Sequence, residues 1–385
     1  MKRILAAAVG IALLGLLPLS AGAATLAEAG KSAVLMDVTT GTVLYEHNSH
    51  EALAPASVTK VMTMLLIMEA VDSGKIALTD TVTASEAAAA KGGSQIYLKA
   101  GETMSVSDML KSIAVSSAND CACAMAEHIC GSESAFVEAM NRRAKELGMQ
   151  DTHFVNCTGL DDDDSAKLHR TSAFDIALMS RELLKNHPDI KKYTTIWMDT
   201  VRNGAFGLSN TNKLIRFYPG ATGLKTGYTA GAGYCLSASA QKEGMELIAV
   251  VMGAKTSQAR NAACKELLDY GFANFAVVAP EPEELPQVAV RLGKQTQVPV
   301  KMEETAGMLI EKSQRSGITT EISLEESVAA PVVRGQTLGS LSVKSGEQTL
   351  RQIPLVAAED VERLSTGDIF LAVLRRAAMA KETQE

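Results

Sequence analysis

The chain has 385 residues, 46% of them hydrophobic and 21% charged, with a formal net charge of −7. That length accommodates two ordinary domains, each with its own core. The acidic balance and the lack of any polybasic tract argue against nucleic acid as a partner.

Met1-Lys2-Arg3 is a short positive segment, Ile4 to Leu19 is apolar apart from Gly and Pro, and Ala21-Gly22-Ala23 supplies small residues at a cleavage site. This reads as a secretory signal peptide over residues 1–23. The apolar stretch is shorter than the roughly 20 residues that a membrane span needs. Removal of Lys2 and Arg3 leaves 35 basic against 44 acidic residues, a formal charge of −9. An exported chain can form disulfides, but one of this size does not need them. Cys121, Cys123 and Cys130 fall on one predicted helix at spacings that point them apart, so mostly free, buried thiols are expected.

Ser32 to Glu46 reads as a β-hairpin turning at Thr39-Thr40-Gly41. A helix follows, with Pro55 just ahead and Ser57 at its entrance; Val61, Met64, Leu65 and Met68 fall on one apolar face. Residues 85 to about 190 are predicted mainly helical, most clearly Met109 to Ile129 and Glu133 to Leu147, the second closed by Gly148. Strands are predicted at Leu224 to Thr229, Gly233 to Gln241 and Met245 to Gly253, then a helix from about Gln258 to Phe272. The plan is one antiparallel sheet made by both ends of a domain (residues 24–278), with a helical lobe inserted between them.

Ala279-Pro280-Glu281-Pro282-Glu283-Glu284-Leu285-Pro286 is the predicted linker to a small all-β domain (279–365). Its strands are expected at Val288-Ala289-Val290, Val298-Pro299-Val300, Thr320 to Ser323 and Ser340 to Val343. Residues 366–385 are predicted to contain an amphipathic helix, Asp368 to Lys381, with Phe370, Val373, Leu374 and Ala377 on one side and Arg375 and Arg376 beside them. Such a helix can lie in a membrane interface or pack on the β domain.

Three short motifs can carry chemistry. Ser57-Val58-Thr59-Lys60 puts a hydroxyl and an amine one helical turn apart. A serine is a weak nucleophile until a neighbour takes its proton, and a lysine does that only when burial or a nearby cation lowers its pKa. Alone, the motif is equally an N-capping serine and a surface lysine. Ser117-Ala118-Asn119 is a second motif, and alone it too reads as an N-cap. The third, Lys225-Thr226-Gly227, stands on a predicted strand, where a glycine often marks close approach of a ligand or another backbone. His47 and His50 lack the pattern of a zinc site, and Asp161 to Asp164 lacks the glycine and terminal glutamate of an EF-hand, so no metal is expected. His153 is expected to pack near the Asn156 turn.

Ser-x-x-Lys at a helix start, Ser-x-Asn in a helical lobe and Lys-Thr-Gly on a strand form the set found in penicillin-binding proteins and class A β-lactamases. From about Ser32 to Val361 the chain closely resembles the low-molecular-mass penicillin-binding proteins, the serine-type D-Ala-D-Ala carboxypeptidases. The likeness extends to Leu35-Met36-Asp37, Thr40 to Tyr45, Pro55 to Thr63, Phe154-Val155-Asn156 with Thr158-Gly159-Leu160, and Gly223 to Thr229. Cys157 departs from it, standing where the family commonly has proline.

The resemblance implies an α/β (α+β) penicillin-binding/β-lactamase-like domain and removal of the terminal D-alanine from peptidoglycan stem peptides through an acyl-enzyme, with no cofactor. It implies Ser57 as nucleophile, Lys60 as base and Ser117 as proton relay to the leaving amine. Asn119 would hold the substrate amide, Lys225 would add positive charge that helps keep Lys60 neutral, and Thr226 would bind the terminal carboxylate. Gly227 would line the substrate site, and Tyr228 would contribute its backbone N–H with that of Ser57 as the oxyanion hole. Arg260, 35 residues beyond Lys225, would bind the terminal carboxylate, unless it is a solvated helix arginine. Stem peptides are the implied partners and β-lactams the covalent inhibitors. The implied location is outside the cytoplasm, on the outer face of the cytoplasmic membrane, in the periplasm or in the cell wall space. A D,D-endopeptidase shares the machinery; a β-lactamase would need a positioned glutamate and no β domain; a wall-binding scaffold would not need the intact set.

Overall fold

The computed structural model describes residues 26–161, 164–279, 284–303, 307–371 and 373–374. The predicted signal peptide, Asp162 and Asp163 of the aspartate run, residues 280–283 of the predicted linker and the tail beyond residue 374 lie outside them.

The first two strands, β1 (Ser32–Asp37) and β2 (Val43–His47), form the expected hairpin. Asp37 Oδ1 closes its turn, accepting from the Thr40 amide and the Thr40 hydroxyl at 2.7 Å each. After the helix α1 (Lys60–Asp72) come four long helices, α2 (Val106–Ser116), α3 (Asn119–Cys130), α4 (Glu133–Glu146) and α5 (Ala173–Asn186). Then follow β3 (Ala221–Thr229), β4 (Gly233–Lys242), β5 (Met245–Ala254) and α6 (Ser257–Asn274). The sheet runs β2-β1-β5-β4-β3, every pair antiparallel. β1 lies against β5 in the register Ser32↔Met252 to Asp37↔Leu247, so the two ends of the domain meet at the centre of one sheet, as the sequence predicted.

All six β1 residues are buried because both faces of the sheet are covered. Val34 and Met36 join the core around α1, whereas Ala33 and Leu35 join a second core with Ala263, Leu267 and Leu268 of α6. Each buried Val or Leu side chain contributes about 1.5–3 kcal/mol. α1 is buried more widely than one face: Met62, Thr63 and Ile67 are inaccessible along with Val61, Met64 and Leu65. It packs against α2, α3, α4 and α5, and a helix so enclosed carries no polar stripe.

The predicted helix Met109 to Ile129 is two helices. Ser117 adopts φ +63°, a left-handed conformation that ends α2, and Ala118 leads into α3. Apolar spacing continues across the break, so periodicity alone merges the two. Ser105, Ser132, Ser172 and Thr256 cap α2, α4, α5 and α6 through their hydroxyls; Ser117 closes α2 through its backbone N–H to the Ser112 carbonyl, and its hydroxyl caps no helix.

After α6, β6 (Phe275–Val278) pairs with β7 (Met308–Glu311), and Ala276 belongs to the core of the following β-rich unit. That unit also holds a three-stranded sheet, with Val288–Arg291 between Gln297–Val298 and Ser327–Ala329, and a four-stranded sheet. The latter centres on the hairpin Thr337–Ser345 and Gln348–Ala357. The second strand of that hairpin contains Pro354 and carried no clear strand signal, since proline cannot donate to a ladder. Helix resumes at residue 366, two residues before the predicted start, where Ser365 and Asp368 satisfy each other's amides. Ile369, Phe370 (65% exposed), Leu371, Val373 and Leu374 all face solvent, so this helix does not pack its described apolar residues on the β unit. Among the described residues no helix is long and apolar enough to cross a membrane.

A chain ending at Asn274 keeps the five-stranded sheet and both of its covering layers. It is expected to melt cooperatively, with a lowered Tm because Phe275 and Val277 no longer cover the second core. Loss of a cooperative calorimetric transition at 25 °C would show that the two units fold only together.

Candidate active site

Pro55 leads into a tight turn, Ala56–Thr59, that places Ser57 immediately ahead of α1 rather than within it. Ala56 is left-handed, at φ +49°. Lys60, the first residue of α1, is fully inaccessible to solvent. Its Nζ donates to Ser57 Oγ at 3.0 Å and to the Thr158 carbonyl at 2.7 Å. Burial holds the Lys60 amine down at about 7, against smaller opposing effects of Cys157 and Asp120. A lysine with that pKa is part neutral near neutral pH and can take the proton of the serine it already touches.

The Thr158 carbonyl belongs to the turn 156–160. Asn156 Oδ1 organises it, accepting from the amides of Thr158 (3.1 Å) and Gly159 (2.7 Å). Gly159 must be glycine: its φ is +81°, and a Cβ there would sit 1.8 Å from the Ala56 carbonyl oxygen. Thr63 Oγ1 donates to the Cys157 carbonyl at 2.6 Å, tying the turn to α1. On the far side of the serine turn, Thr59 Oγ1 bonds the Ala56 carbonyl and His169 Nε2, each at 2.8 Å. His169 is the buried histidine of this region, and burial lowers its pKa to about 4, so it stays neutral. His153, expected to pack here, is exposed and joins Arg170 only through backbone bonds. A lone histidine with no spacing pattern carried no signal to distinguish the two.

Ser117 and Asn119 flank the Ala118 bend. Both are buried, and Ser117 Oγ and Asn119 Oδ1 bond no protein group. A buried polar atom left unpaired costs about 1–3 kcal/mol, so two together mark a place shaped for a ligand. Asn119 Nδ2 donates to the Gly92 carbonyl at 2.8 Å and its amide to the Ser94 carbonyl at 2.7 Å. The Asp120 carboxylate, also buried, accepts from the amides of Ile96 and Leu98 and holds the same loop.

β3 is the sheet edge nearest the serine. A Cβ on Gly227 would meet the Pro55 carbonyl oxygen at 2.7 Å and the Val58 nitrogen at 3.0 Å, so glycine lets the strand lie against the serine turn. Lys225 is buried, with Nζ donating to the Thr226 carbonyl at 2.7 Å. Burial drives its pKa well down, and the charges of Lys60 and Arg260 add to that. Burial is likewise the leading cause at Lys60, and because charge repulsion is mutual a charged Lys225 would push the Lys60 amine in the same direction. Thr226 Oγ1 donates to Thr211 Oγ1 at 2.7 Å, which brings in a residue that no sequence pattern singled out. The Tyr228 side chain is 56% exposed and stacks on Tyr234 at 4.3 Å. Arg260 is only 5% exposed, in the first turn of α6; its Nη1 donates to the Cys235 carbonyl, and its guanidinium lies 5.9 Å from the Tyr234 ring. It is not a solvated helix arginine.

All six cysteines are free, and all but Cys130 are buried. Among the described residues one cluster has metal-ligand chemistry, Glu69, Glu182 and His187, but Arg143 already bridges its two carboxylates at 2.6 and 2.5 Å.

Residues 20–256 match the family model described as D-alanyl-D-alanine carboxypeptidase, and residues 279–363 match the C-terminal domain of penicillin-binding protein 5. The D-alanyl-D-alanine carboxypeptidase DacF of Bacillus subtilis is 45% identical over 357 residues, 91% of this chain and 90% of the relative. A D-alanyl-D-alanine endopeptidase of Pseudomonas aeruginosa is 33% identical over 54% of this chain and 66% of its own length. The crystal structure of penicillin-binding protein 5 from Haemophilus influenzae superimposes with a TM-score of 0.75 at 31% identity, covering 87% of this chain and 98% of that one.

The protonation state of Lys60 sets a pH dependence. Only the neutral amine accepts a proton, so acylation of Ser57 by a β-lactam should climb with rising pH through a midpoint near 7. Stopped-flow acylation rates between pH 5 and 10 check this; rates that show no midpoint near 7 and still climb about tenfold per pH unit at pH 10 would mean that the amine is hydrated in solution.

Proposed function

The chain belongs to the serine D-alanyl-D-alanine carboxypeptidase family of low-molecular-mass penicillin-binding proteins, and from that membership we propose that it removes the terminal D-alanine of peptidoglycan stem pentapeptides. The observation that carries this reading is the hydrogen bond from the solvent-inaccessible Lys60 amine to Ser57 Oγ.

In the proposed reaction Lys60 takes the Ser57 proton as Oγ adds to the carbonyl between the two D-alanines. The backbone N–H groups of Ser57 and Tyr228 receive the oxyanion, and Asn119 holds the substrate amide. The C–N bond breaks as Ser117 gives its proton to the departing amine and takes the one held by Lys60, leaving an ester on Ser57 and Lys60 neutral again. Water then attacks the ester and gives up a proton to Lys60, which returns it to the departing Ser57 Oγ and restores the serine. Lys225, Thr226 and Arg260 take the free carboxylate, which supplies the anion that this cationic corner lacks. A β-lactam carbonyl enters the same first step, but its leaving nitrogen stays tethered.

Cleavage of cross-links is the competing reading for the same machinery. The endopeptidase match spans about half of this chain, whereas DacF spans nine-tenths, through the β-rich unit, and that coverage favours the carboxypeptidase.

Export by the leader and attachment by the tail to the outer face of the cytoplasmic membrane complete the proposal. The exposed row Phe370, Leu371, Val373 and Leu374 supports the second part.

The mature protein should release one D-alanine per pentapeptide and form a penicilloyl adduct that mass spectrometry places on Ser57. Ser57→Ala should abolish both, and Lys60→Ala should slow acylation by about 10²–10⁴-fold. An adduct that persists in Ser57→Ala would falsify the assignment. Separately, deletion of residues 366–385 should release the enzyme from anionic vesicles in a flotation assay without altering turnover of soluble substrate. Full-length protein that stays in the unbound fraction at low salt would refute the anchor.

A further inference from the structure

Glu133 occupies the first turn of α4 and makes contacts in two directions. Its Oε1 accepts from the Cys157 amide at 3.3 Å and from the Cys157 thiol at 3.2 Å. Its Oε2 accepts from Lys91 Nζ at 2.6 Å and lies 3.7 Å from the Cys123 sulfur. Each contact leads, one residue further on, to a carbonyl that orients a site side chain. Cys157 precedes Thr158, whose carbonyl receives the Lys60 amine. Lys91 precedes Gly92, whose carbonyl receives the Asn119 amide group. The helix dipole and the Lys91 ammonium both favour the carboxylate, and its pKa is held below the usual range despite the opposing effect of burial.

We propose that Glu133 is a positioning residue that clamps the 156–160 turn to the Lys91–Gly92 loop and so fixes the Thr158 and Gly92 carbonyls that aim Lys60 and Asn119. This rests on the reading of Lys60 as the base that activates Ser57. The bond to the Cys157 amide also gives a physical consequence to the cysteine at that position. A proline there would have no N–H to offer, and the turn would lack this tether. The cost of losing the clamp is geometric: an amine displaced by about 1 Å from its serine can lose on the order of 10²-fold in rate.

The test is the rate of acylation by a chromogenic cephalosporin in the full mature protein. Saturation kinetics separate the acylation rate constant from the dissociation constant of the initial complex, and both are normalised to sites titrated by covalent labelling. Glu133→Ala should lower the rate constant by about 10–10²-fold. Glu133→Asp still pairs with Lys91 but is one methylene too short for the Cys157 amide. It should lower the rate constant similarly while leaving the dissociation constant within about twofold. The double variant Glu133→Gln with Lys91→Met keeps a neutral oxygen acceptor for Cys157 without a stranded ammonium, but gives up the tether on Gly92. It should recover the rate constant to within about threefold of wild type while raising the dissociation constant of the initial complex, because Asn119 loses its aim and Lys60 does not.

Wild-type rate constants per titrated site in Glu133→Asp overturn the proposal, because a residue that serves folding alone changes the number of active sites and not their rate. Failure of the double variant to recover also overturns it, since charge rather than the Cys157 contact would then be what matters. If Glu133→Ala does not fold, the aspartate and the double variant decide. Failure of the carboxypeptidase reading has a different signature: wild type itself would not acylate at Ser57.

Discussion

A lysine amine sealed from solvent beside a serine hydroxyl is the constraint on which the rest of the site depends. An ammonium out of water is costly, and Lys60 meets that cost by giving up its proton near pH 7 while keeping two acceptors, Ser57 Oγ and the Thr158 carbonyl. To seal the amine, three backbone segments must crowd the same few ångströms: the serine turn, the 156–160 turn and the edge strand β3. Gly159 and Gly227 stand at the two points where those segments meet, and at each a Cβ would strike backbone. A bulkier residue at either point would part the walls around the amine, and the pKa that makes it a base would rise with hydration.

The fold supplies these segments from distant parts of the chain. Because β1 pairs with β5, the sheet closes with β3 at one edge, and the helical lobe between β2 and β3 is held against one face. α1 runs through the middle of that lobe with apolar neighbours on every side, so the lysine at its first residue inherits a dry environment from the helix it begins. The left-handed Ser117 then breaks what would be one long helix, and the Ala118 bend presents two polar groups that no protein atom satisfies. Unpaired groups of about 1–3 kcal/mol each are tolerable in a domain whose two cores bury dozens of apolar side chains.

What the sequence made legible follows from which signals are local. The hairpin, the three sheet strands, the split of the sheet between the two ends of the domain and the motifs bearing Ser57, Ser117 and Lys225 all rest on short-range patterns, and the structure packs Gly227 of the third motif against the turn that carries Ser57. The break at Ser117 was hidden because apolar spacing continues through it and a serine carries no left-handed preference of its own. The strand Gln348–Ala357 was hidden by Pro354. His169, Thr211 and Glu133 were missed for another reason: each acts through a partner far away in sequence, at Thr59, Thr226 and Cys157. Nothing in the spacing around them reports those partners.

The two buried lysines also bear on how the site answers to a substrate. Lys225 is driven down by burial, then by Lys60 and Arg260, so the free protein holds three cationic groups where it can scarcely afford to charge them all. A substrate's terminal carboxylate brings a negative charge into that corner without any protein counter-ion having to be built in. Its arrival would favour the charged form of Lys225 and Arg260, and with them the grip on the substrate, while burial keeps Lys60 part neutral near pH 7. Burial is the first cause for both lysines, and what sets them apart is the charge around each, Asp120 near Lys60 against Lys60 and Arg260 near Lys225. In the proposed reaction the pocket holds an anionic peptide end beside an amine that takes up the Ser57 proton.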